Sequence, residues 1–197
     1  MSFLLPSVLV CILMPSFIAS KMYLFQSERL GFRNWREEDL RPFAEMNQDK
    51  DVMEFFPAVL TTEASNALLE RLKKHHLEHG FTFFAVDKLE NHEFIGFIGL
   101  ARTPYKTDFT PCVEIGWRLK KSAWNLGYAT EGAKRCLSYG FTDLDLNEIY
   151  SFTPCINYRS EKVMQKIGMK KVGEFTHPKV EVGHALSQHV LYRISKK

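Results

Sequence analysis

A short run of small and polar residues joins a strand-like segment to a helix-like one, and its residue types suit the binding of an anion. The run reads Trp124-Asn125-Leu126-Gly127-Tyr128-Ala129-Thr130-Glu131-Gly132. Apolar residues alternate before it, from Val113 to Leu119, and recur at helical spacing after it, from Ala133 to Phe141. The first N–H groups of a helix have no partner within the helix, and the helix dipole is positive there. The run is therefore predicted to hold a phosphate or pyrophosphate.

This run is neither of the two common nucleotide-binding loops. The pattern G-x-x-x-x-G-K-[ST] is missing, and with it the lysine that would reach a β- or γ-phosphate. The pattern G-x-G-x-x-G, followed about 20 positions later by an acidic residue, is missing as well. The alternative to an anion site is an ordinary connection in which Gly127 only permits a tight turn.

The run resembles the acyl-coenzyme A loop of the GNAT superfamily of N-acetyltransferases, which is usually written [QR]-x-x-G-x-[GA]. Gly127 and Ala129 match its two small positions, whereas Trp124 replaces the usual Gln or Arg. With Tyr-Ala-Thr-Glu following, this replacement resembles the branch that contains the ribosomal-protein alanine acetyltransferases RimJ and RimL. Three further segments resemble that branch, in the expected order. Residues 28–40 resemble its opening T-E-R-L-x-L-R-x-W-x-x-x-D, and residues 94–100 resemble its central hairpin strand. Residues 157–169 resemble its late N-x-x-S helix and G-[FM] turn.

The resemblance implies an α/β fold of the α+β type, with a GNAT-like mixed, mostly antiparallel central sheet, two splayed strands and flanking helices. The order of strands and helices along the chain agrees, because it predicts an antiparallel sheet with one parallel crossover. Thr62 is expected to cap the second helix and Gly80 to end it. The predicted helices span residues 37–46, 63–79, 128–141 and 159–167, and the predicted strands span 28–32, 81–86, 93–101, 112–119, 148–153, 171–174 and 189–194.

Acetyl transfer to an amine needs a group that accepts a proton, because amines are protonated at neutral pH. Glu114 is the candidate base, since it lies on the strand before the loop, where the resembled family often places its base. The alternative is that Glu114 is a surface carboxylate that pairs with Arg118 on the same strand face. Such a pair contributes little to stability. Both interpretations stay open from the sequence.

The resemblance also implies roles in binding acetyl-coenzyme A. The backbone of the loop, from Asn125 through Leu126, Gly127, Tyr128 and Ala129 to Thr130, would bind the pyrophosphate, and Trp117 and Leu119 would pair with the pantetheine amides. Asn157 would contact the pantetheine arm, unless it is only a helix N-cap. Ser160 would lie near the thioester and protonate the departing thiolate. Many relatives have a tyrosine for that step, at a position that is Met164 here.

The function implied is an acetyl-CoA-dependent N-acetyltransferase that works by direct attack in a ternary complex. Its acceptor would be a primary amine, either a protein N-terminal α-amine or a small-molecule amine. The alternative is a non-catalytic acyl-coenzyme A sensor or binding module. Residues 51–62, 102–111 and 175–189 are expected to form the walls around the acceptor. The chain is expected to be a monomer or a homodimer.

Composition limits the number of domains, the class of ligand and the compartment. A length of 197 residues fits one domain that buries about 70% of its unfolded surface. A net charge of +3 is too mild to indicate nucleic-acid binding. Arg118, Lys120 and Lys121 gather before the loop, where they would attract phosphates or simply be solvated. The four cysteines, Cys11, Cys112, Cys136 and Cys155, are scattered as in a reducing compartment, which favours the cytoplasm.

A second motif, His75-His76-Leu77-Glu78-His79, fits the H-x-x-E-H pattern of some zinc peptidases. It ends a polar helix at Gly80, and no third ligand is evident downstream, so no metal is expected. His92, His177, His184 and His189 are scattered over loops and the last hairpin. The aromatic residues are predicted to be core rather than a cofactor box, namely Phe55, Phe56, Phe81, Phe83 and Phe84.

Residues 1–21 form an uncharged apolar leader up to Ser20, interrupted by Pro6 and Pro15. It lacks the basic n-region of a secretory signal and is shorter than the roughly 20 apolar residues of a membrane span. The leader is therefore predicted not to belong to the fold, and the domain to cover residues 22–197. The alternatives are a membrane anchor, which would make this a membrane-associated interaction protein, and export.

Overall fold

The computed structural model describes residues 23–197. The predictions for residues 1–21 therefore lie outside the described residues. Among the residues described, none of the helices has the length and apolar character that a bilayer crossing requires.

Within residues 23–197, eight strands form one open sheet in the order β1-β2-β3-β4-β5-β6-β8-β7. Every neighbouring pair is antiparallel except β5 and β6. The mostly antiparallel sheet with one parallel crossover is thus confirmed. The strands are β1 (Phe25–Gln26), β2 (Leu30–Arg33), β3 (Phe83–Lys88), β4 (Phe94–Arg102), β5 (Val113–Leu119), β6 (Glu148–Pro154), β7 (Lys170–Thr176) and β8 (Gln188–Ser195).

Four α-helices flank the sheet in this part of the chain: α1 (Leu40–Gln48), α2 (Thr62–His79), α3 (Tyr128–Thr142) and α4 (Tyr158–Lys166). The predicted helix at 37–46 begins instead as a 3₁₀ turn, Glu37–Asp39. The predicted cap of α2 is wrong by one residue, because the Thr61 hydroxyl accepts from the Ala64 N–H at 3.2 Å. Gly80 ends this helix as predicted, with a φ of 78° that few other residues tolerate.

The sheet separates two cores because successive side chains of a strand point to opposite faces. On β3, Phe84 packs into the core beneath α3, while its neighbour Ala85 packs into the core beneath α1 and α2. Both side chains are fully buried. The rigid sheet therefore holds the connections at its strand ends in fixed positions.

The opening segment is held by a buried ionic cluster around Arg33. Its guanidinium donates to both Asp39 oxygens, at 2.6 and 2.8 Å, and to both Asp87 oxygens, at 2.6 and 2.8 Å. All three side chains are at most 5% exposed. Bidentate pairing of this kind satisfies buried charges that would otherwise be costly. The arginine and aspartate of the opening motif thus have a structural role that the sequence did not reveal.

The parallel strands β5 and β6 share a single registered pair, Glu114 with Tyr150. One residue further on, the Ser151 hydroxyl donates to the Ile115 carbonyl at 2.9 Å. The two strands diverge beyond this bridge, so a cleft opens at their C-terminal ends. The predicted splay between neighbouring strands is confirmed.

Candidate functional site

A cavity of about 700 Å³ occupies the opening between β5 and β6. Its walls come from the two splayed strands, the loop before α3, the start of α4 and two chain segments at 51–57 and 177–189. The predicted site residues line this one cavity with the exception of Leu126: Glu114, Trp117, Leu119, Asn125, Gly127, Tyr128, Ala129, Thr130, Asn157 and Ser160.

The loop before α3 has the geometry of an anion site. Asn125 and Gly127 have φ values of 60° and 85°, and the α-helix starts directly afterwards at Tyr128. The Gly127 carbonyl accepts the first backbone bond, from Glu131 at 3.0 Å, and no side chain caps the helix. The N–H groups of Tyr128, Ala129 and Thr130 therefore precede the first helical bond and are available to a pyrophosphate.

Leu126 has a structural role in the loop in addition to the predicted role of its backbone N–H. Its side chain is 50% exposed and does not line the cavity. Its carbonyl oxygen accepts from Arg29 Nη1 at 3.1 Å. Leu126 therefore helps to attach the loop to the turn between β1 and β2.

Trp124, which replaces the polar residue of the resembled motif, connects the loop to β5. Its Nε1 donates to the Leu119 carbonyl at 2.9 Å, and the Arg159 guanidinium lies 4.6 Å from its ring centroid. The Leu119 oxygen thus already has one partner and keeps a single lone pair for a ligand. The tryptophan fixes the distance between the loop and the splayed strand.

Glu114 lies at the other end of the cleft, at the start of β5, and its half-buried side chain lines the cavity. Burial raises the pKa of Glu114 to about 8, and the charge of Lys179 opposes this shift. Among residues 23–197 its carboxylate has no hydrogen-bond or salt-bridge partner, so the predicted alternative of a surface pair with Arg118 is wrong. The Arg118 guanidinium donates instead to Asn47 Oδ1 at 2.7 Å and lies 4.0 Å from the Phe56 ring centroid.

Asn157 and Ser160 begin α4 beside the cavity. Asn157 Oδ1 accepts from the Ser160 N–H at 3.2 Å, so the N-cap role left open by the sequence is present. The Asn157 amide donates to Thr153 Oγ1 at 2.9 Å and to Ser160 Oγ at 3.2 Å. The Ser160 hydroxyl thus accepts one bond and retains its own proton for donation. Met164 is buried and has no proton to give.

Two histidines that lie apart in the sequence meet in the cavity wall formed by residues 177–189. The rings of His177 and His189 are 4.7 Å apart, and both residues line the cavity. Burial lowers the pKa of both side chains, that of His189 to about 4, so both are neutral at pH 7. The pairing of β7 with β8, which aligns Phe175 with His189, brings them together.

Two of the three expected acceptor walls line the cavity. Segments 51–57 and 177–189 do so, whereas no residue of 102–111 does. Tyr105 and Phe109 pack behind the wall, with ring centroids 4.9 Å from His177 and 4.8 Å from Phe175, respectively. The third segment therefore supports the wall from outside.

Segment 51–57 crosses the mouth of the cleft and is bound to both of its sides. Asp51 pairs with Lys121 next to the loop, and Glu54 pairs with Arg159 on α4. Phe55 and Phe56 belong to this segment and line the cavity, and Phe56 is 38% exposed, so the prediction that they are core residues is wrong.

The basic residues before the loop do not form one phosphate-attracting cluster. Arg118 is engaged by Asn47, and Lys121 pairs with Asp51. The Lys120 ammonium lies 5.3 Å from the Phe94 ring centroid. The three side chains therefore have separate partners.

The second motif is structural. His75 Nδ1 donates to the Phe81 carbonyl at 2.8 Å, and His75 Nε2 accepts from the Arg102 N–H at 3.0 Å. Both ring nitrogens are thus engaged and neither is available to a metal. The part of the chain that the structure describes holds no group of three or more potential metal-binding side chains. Cys112, Cys136 and Cys155 are free thiols, and Cys11 lies outside the described residues.

Comparison with known proteins agrees with this geometry. The acetyltransferase (GNAT) domain family matches residues 29–170. The chain belongs to the GNAT acetyltransferase family. It is 32% identical to the uncharacterized N-acetyltransferase YnaD of Bacillus subtilis strain 168 over 150 residues, which are 76% of this chain and 84% of the relative.

Solved structures share the fold of this GNAT protein. A GNAT-family acetyltransferase from Bacillus anthracis has a TM-score of 0.71 at 28% identity, covering 86% of this chain and 96% of that chain. A ribosomal-protein-S5-alanine acetyltransferase from Vibrio fischeri has a TM-score of 0.69 at 19% identity, covering 87% and 95%. This GNAT protein is therefore an N-acetyltransferase, with acetyl-coenzyme A as its co-substrate.

Proposed function

We propose that this enzyme transfers the acetyl group directly to a primary amine in a ternary complex, with Glu114 accepting the proton of the amine. The acceptor is a small-molecule amine or a protein N-terminal α-amine. The observation that carries the proposal is the half-buried Glu114 carboxylate, which lines the same cavity as the uncapped loop before α3. The RimJ/RimL-like motifs are compatible with either class of amine.

The pKa of Glu114 suits this role. At about 8 it is close to that of an α-amine, so the proton can move between the two groups at little cost. An ammonium group that approaches the carboxylate favours its charged form and lowers its pKa. Glu114 would therefore become a base when the acceptor binds.

The proposed transfer moves one acetyl group to the amine and two protons away from its nitrogen. Glu114 takes a proton from the ammonium, and the nitrogen lone pair forms a bond to the thioester carbon. The carbon–sulfur bond then breaks, and coenzyme A leaves as a thiolate. The thiolate takes a proton from the Ser160 hydroxyl or from water, and the second proton of the attacking nitrogen replaces the one that was given up. The proton on Glu114 then passes to solvent. The products are an N-acetylated amine and free coenzyme A.

The residues in the rest of the cavity would hold the co-substrate. The backbone N–H groups of residues 126–130 would bind its pyrophosphate, and the Thr130 hydroxyl would add a bond. Trp117 and Leu119 would pair with the pantetheine amides, and Asn157 would contact the same arm through the free lone pair of Oδ1. We assign these functions to a single domain that covers residues 22–197.

The test is a screen of amines with the purified full-length protein, in which free thiol released from acetyl-coenzyme A is measured. A thermal shift with acetyl-coenzyme A alone is recorded in parallel. Release that depends on an amine, together with an N-acetylated product detected by mass spectrometry, supports transfer. A thermal shift without turnover for peptides, polyamines and monoamines would overturn catalysis in favour of a binding module.

A further inference from the structure

The acceptor end of the cavity is lined by aromatic rings centred on Phe152. Phe152 lies two residues after Tyr150, which is the registered partner of Glu114. Phe152 and Tyr150 therefore lie on the same face of β6. The centroid of its ring is 5.6 Å from Phe175 and 6.2 Å from His177. Phe152 and His177 line the cavity with their ring planes tilted by 53°, and Phe175 packs edge-on behind Phe152. The two lining rings form an angled, largely apolar wall close to the proposed base.

The charges around this surface can stabilise one cation. Glu114 and Asp51 are the carboxylates among the residues that line the cavity, and Asp51 is already paired with Lys121 at the mouth. His177 and His189 are neutral at pH 7. The Lys179 ammonium lies 5.5 Å from the Tyr105 ring centroid and acts on Glu114, so it would repel a second cation. A second ammonium would be desolvated here without a partner.

Several hydrogen-bonding groups near the rings are engaged, whereas the Nε2 atoms of His177 and His189 have no partner among residues 23–197. The Ser151 hydroxyl donates to Ile115, and Thr153 Oγ1 accepts from Asn157. His177 Nδ1 accepts from the Lys179 N–H at 3.2 Å. A peptide brings one N–H and one carbonyl per residue, and each would need a partner when desolvated. The two Nε2 atoms provide one donor and one acceptor, which are too few for the successive N–H and carbonyl groups of a peptide. The wall therefore suits a largely apolar acceptor better than a peptide.

We propose that the acceptor is a small arylalkylamine, a monoamine whose single ammonium meets Glu114 and whose ring packs against Phe152 and His177. This inference rests on the proposed acetyl transfer and names the substrate class of that site. Aromatic rings gain from edge or offset contacts beyond the area they bury. Phe152 is then a specificity-determining residue, not a catalytic one.

The first test compares kcat/KM for 2-phenylethylamine, putrescine, spermidine, phenylalanine and an alanine-initiated tripeptide, with the full-length protein. We expect 2-phenylethylamine to exceed each of the others by about tenfold or more. A higher value for any of the other four would overturn the arylalkylamine assignment and leave acetyl transfer intact. Turnover with none of the five, while acetyl-coenzyme A still shifts the thermal midpoint, would overturn both proposals.

A matched pair of variants tests the wall itself. Phe152→Leu removes a ring that lines the cavity, whereas Phe109→Leu removes one that packs behind it, 6.2 Å away. We expect Phe152→Leu to raise the KM for 2-phenylethylamine by about tenfold while kcat changes little, and Phe109→Leu to leave KM within about threefold. Equal effects of the two variants on KM would show a merely structural role and overturn the contact.

A third variant tests the charge argument by gain of function. Val180 is half-buried and lines the cavity, so Val180→Glu adds a second carboxylate near the acceptor. We expect the ratio of kcat/KM for putrescine to that for 2-phenylethylamine to rise by about tenfold, because a second ammonium gains a partner. An unchanged ratio in a variant with the parental thermal midpoint would contradict the argument.

Discussion

Arg29 and Glu131 lie 102 residues apart in the sequence and bind the turn after β1 to the first helical turn of α3. The Arg29 N–H and Nε donate to Glu131 at 2.8 and 2.7 Å, and the Ser27 hydroxyl donates to the same carboxylate at 2.7 Å. The guanidinium also lies 4.5 Å from the Tyr128 ring centroid. The anion-binding loop is therefore held in place from outside the cavity by the opening segment of the domain.

Removal of this carboxylate should loosen the loop. We expect Glu131→Ala to lower the free energy of unfolding by about 1–3 kcal/mol, because three donors lose a charged acceptor. Binding of acetyl-coenzyme A, measured by calorimetry, should weaken as well. The control is Glu45→Ala, which removes an exposed i,i+4 pair with Arg41 and should change the free energy of unfolding far less. Equal losses in the two variants would contradict the role of Glu131.

The contact of Glu131 with Ser27 and Arg29 also predicts that the stability of the fold falls in acid. Hydrogen bonds from Ser27 and Arg29 outweigh the effect of burial and lower the pKa of Glu131 below its ordinary 4.5. Its contribution to stability is thus present above that pH and is lost as the pH falls through the folded-state pKa. Urea unfolding of the parent and of Glu131→Ala should converge in this acidic range.

Gly127 allows the backbone turn that exposes the N–H groups of the loop. An added Cβ there would meet Arg29 Nη2 at 3.4 Å, at a φ of +85°. We expect Gly127→Val to abolish the thermal shift with acetyl-coenzyme A, which for the parent is several degrees at about 100 times the dissociation constant. Gly80→Val introduces similar strain at a φ of +78°, far from the cavity, and should keep the shift. An undiminished shift in folded Gly127→Val would reject this loop as the pyrophosphate site.

Local patterns in the sequence were sufficient for the helices, the loop and seven of the eight strands within residues 23–197, whereas the two-residue strand β1 was not predicted. The alternation of Val113 to Leu119 and the helical spacing after Tyr128 are periodic signals, and the structure has β5 and α3 at those places. The displacement of the α2 cap from Thr62 to Thr61 has a local reason, because adjacent threonines offer the same hydroxyl to the backbone.

The contacts that the sequence missed join distant segments. Arg33 meets Asp87 across 54 residues, and His177 meets His189 only through the register of β7 with β8. No local period encodes the register of one strand against another, and a shift by one residue would turn His189 to the opposite face. The grouping of aromatic rings around Phe152 could not be predicted from the sequence for the same reason.

His75 gives a prediction on stability that also tests the metal interpretation. His75→Ala leaves the Phe81 carbonyl and the Arg102 N–H without their partner, and should cost about 1–3 kcal/mol. His79→Ala, at an exposed neighbouring position, is the control and should cost less. Addition of zinc or of a chelator should leave the thermal midpoint of the parent unchanged. A rise with zinc or a fall with the chelator would support metal binding.

The His75 contribution should depend on pH in a definite direction. Burial lowers the pKa of His75 below 6.5, so the unfolded chain binds more protons than the folded one in acid. Stability therefore falls as the pH drops below 6.5, and His75→Ala should show a flatter profile there.

The leader gives a further prediction. A chain that begins at Met22 is expected to keep the thermal midpoint and the response to acetyl-coenzyme A, since the pattern of residues 1–21 matches no element of the domain. Both quantities are measured by differential scanning calorimetry. Insolubility or loss of the ligand response would show that these residues belong to the fold.

The proposed base gives the last prediction. Glu114→Gln keeps the size of the side chain but cannot accept the proton, so kcat should fall by about 10²–10⁴ while acetyl-coenzyme A still binds. Burial raises the pKa of Glu114 to about 8, so kcat/KM of the parent should rise with pH up to that region. The kcat/KM of Glu114→Gln should not show this rise. The variant should recover part of its rate only as the pH approaches the pKa of the amine. Met164→Leu should leave the chemical step nearly unchanged, whereas Ser160→Ala should slow it if that hydroxyl protonates the thiolate. A kcat for Glu114→Gln within about threefold of the parent, with chemistry rate-limiting, would remove Glu114 from the mechanism.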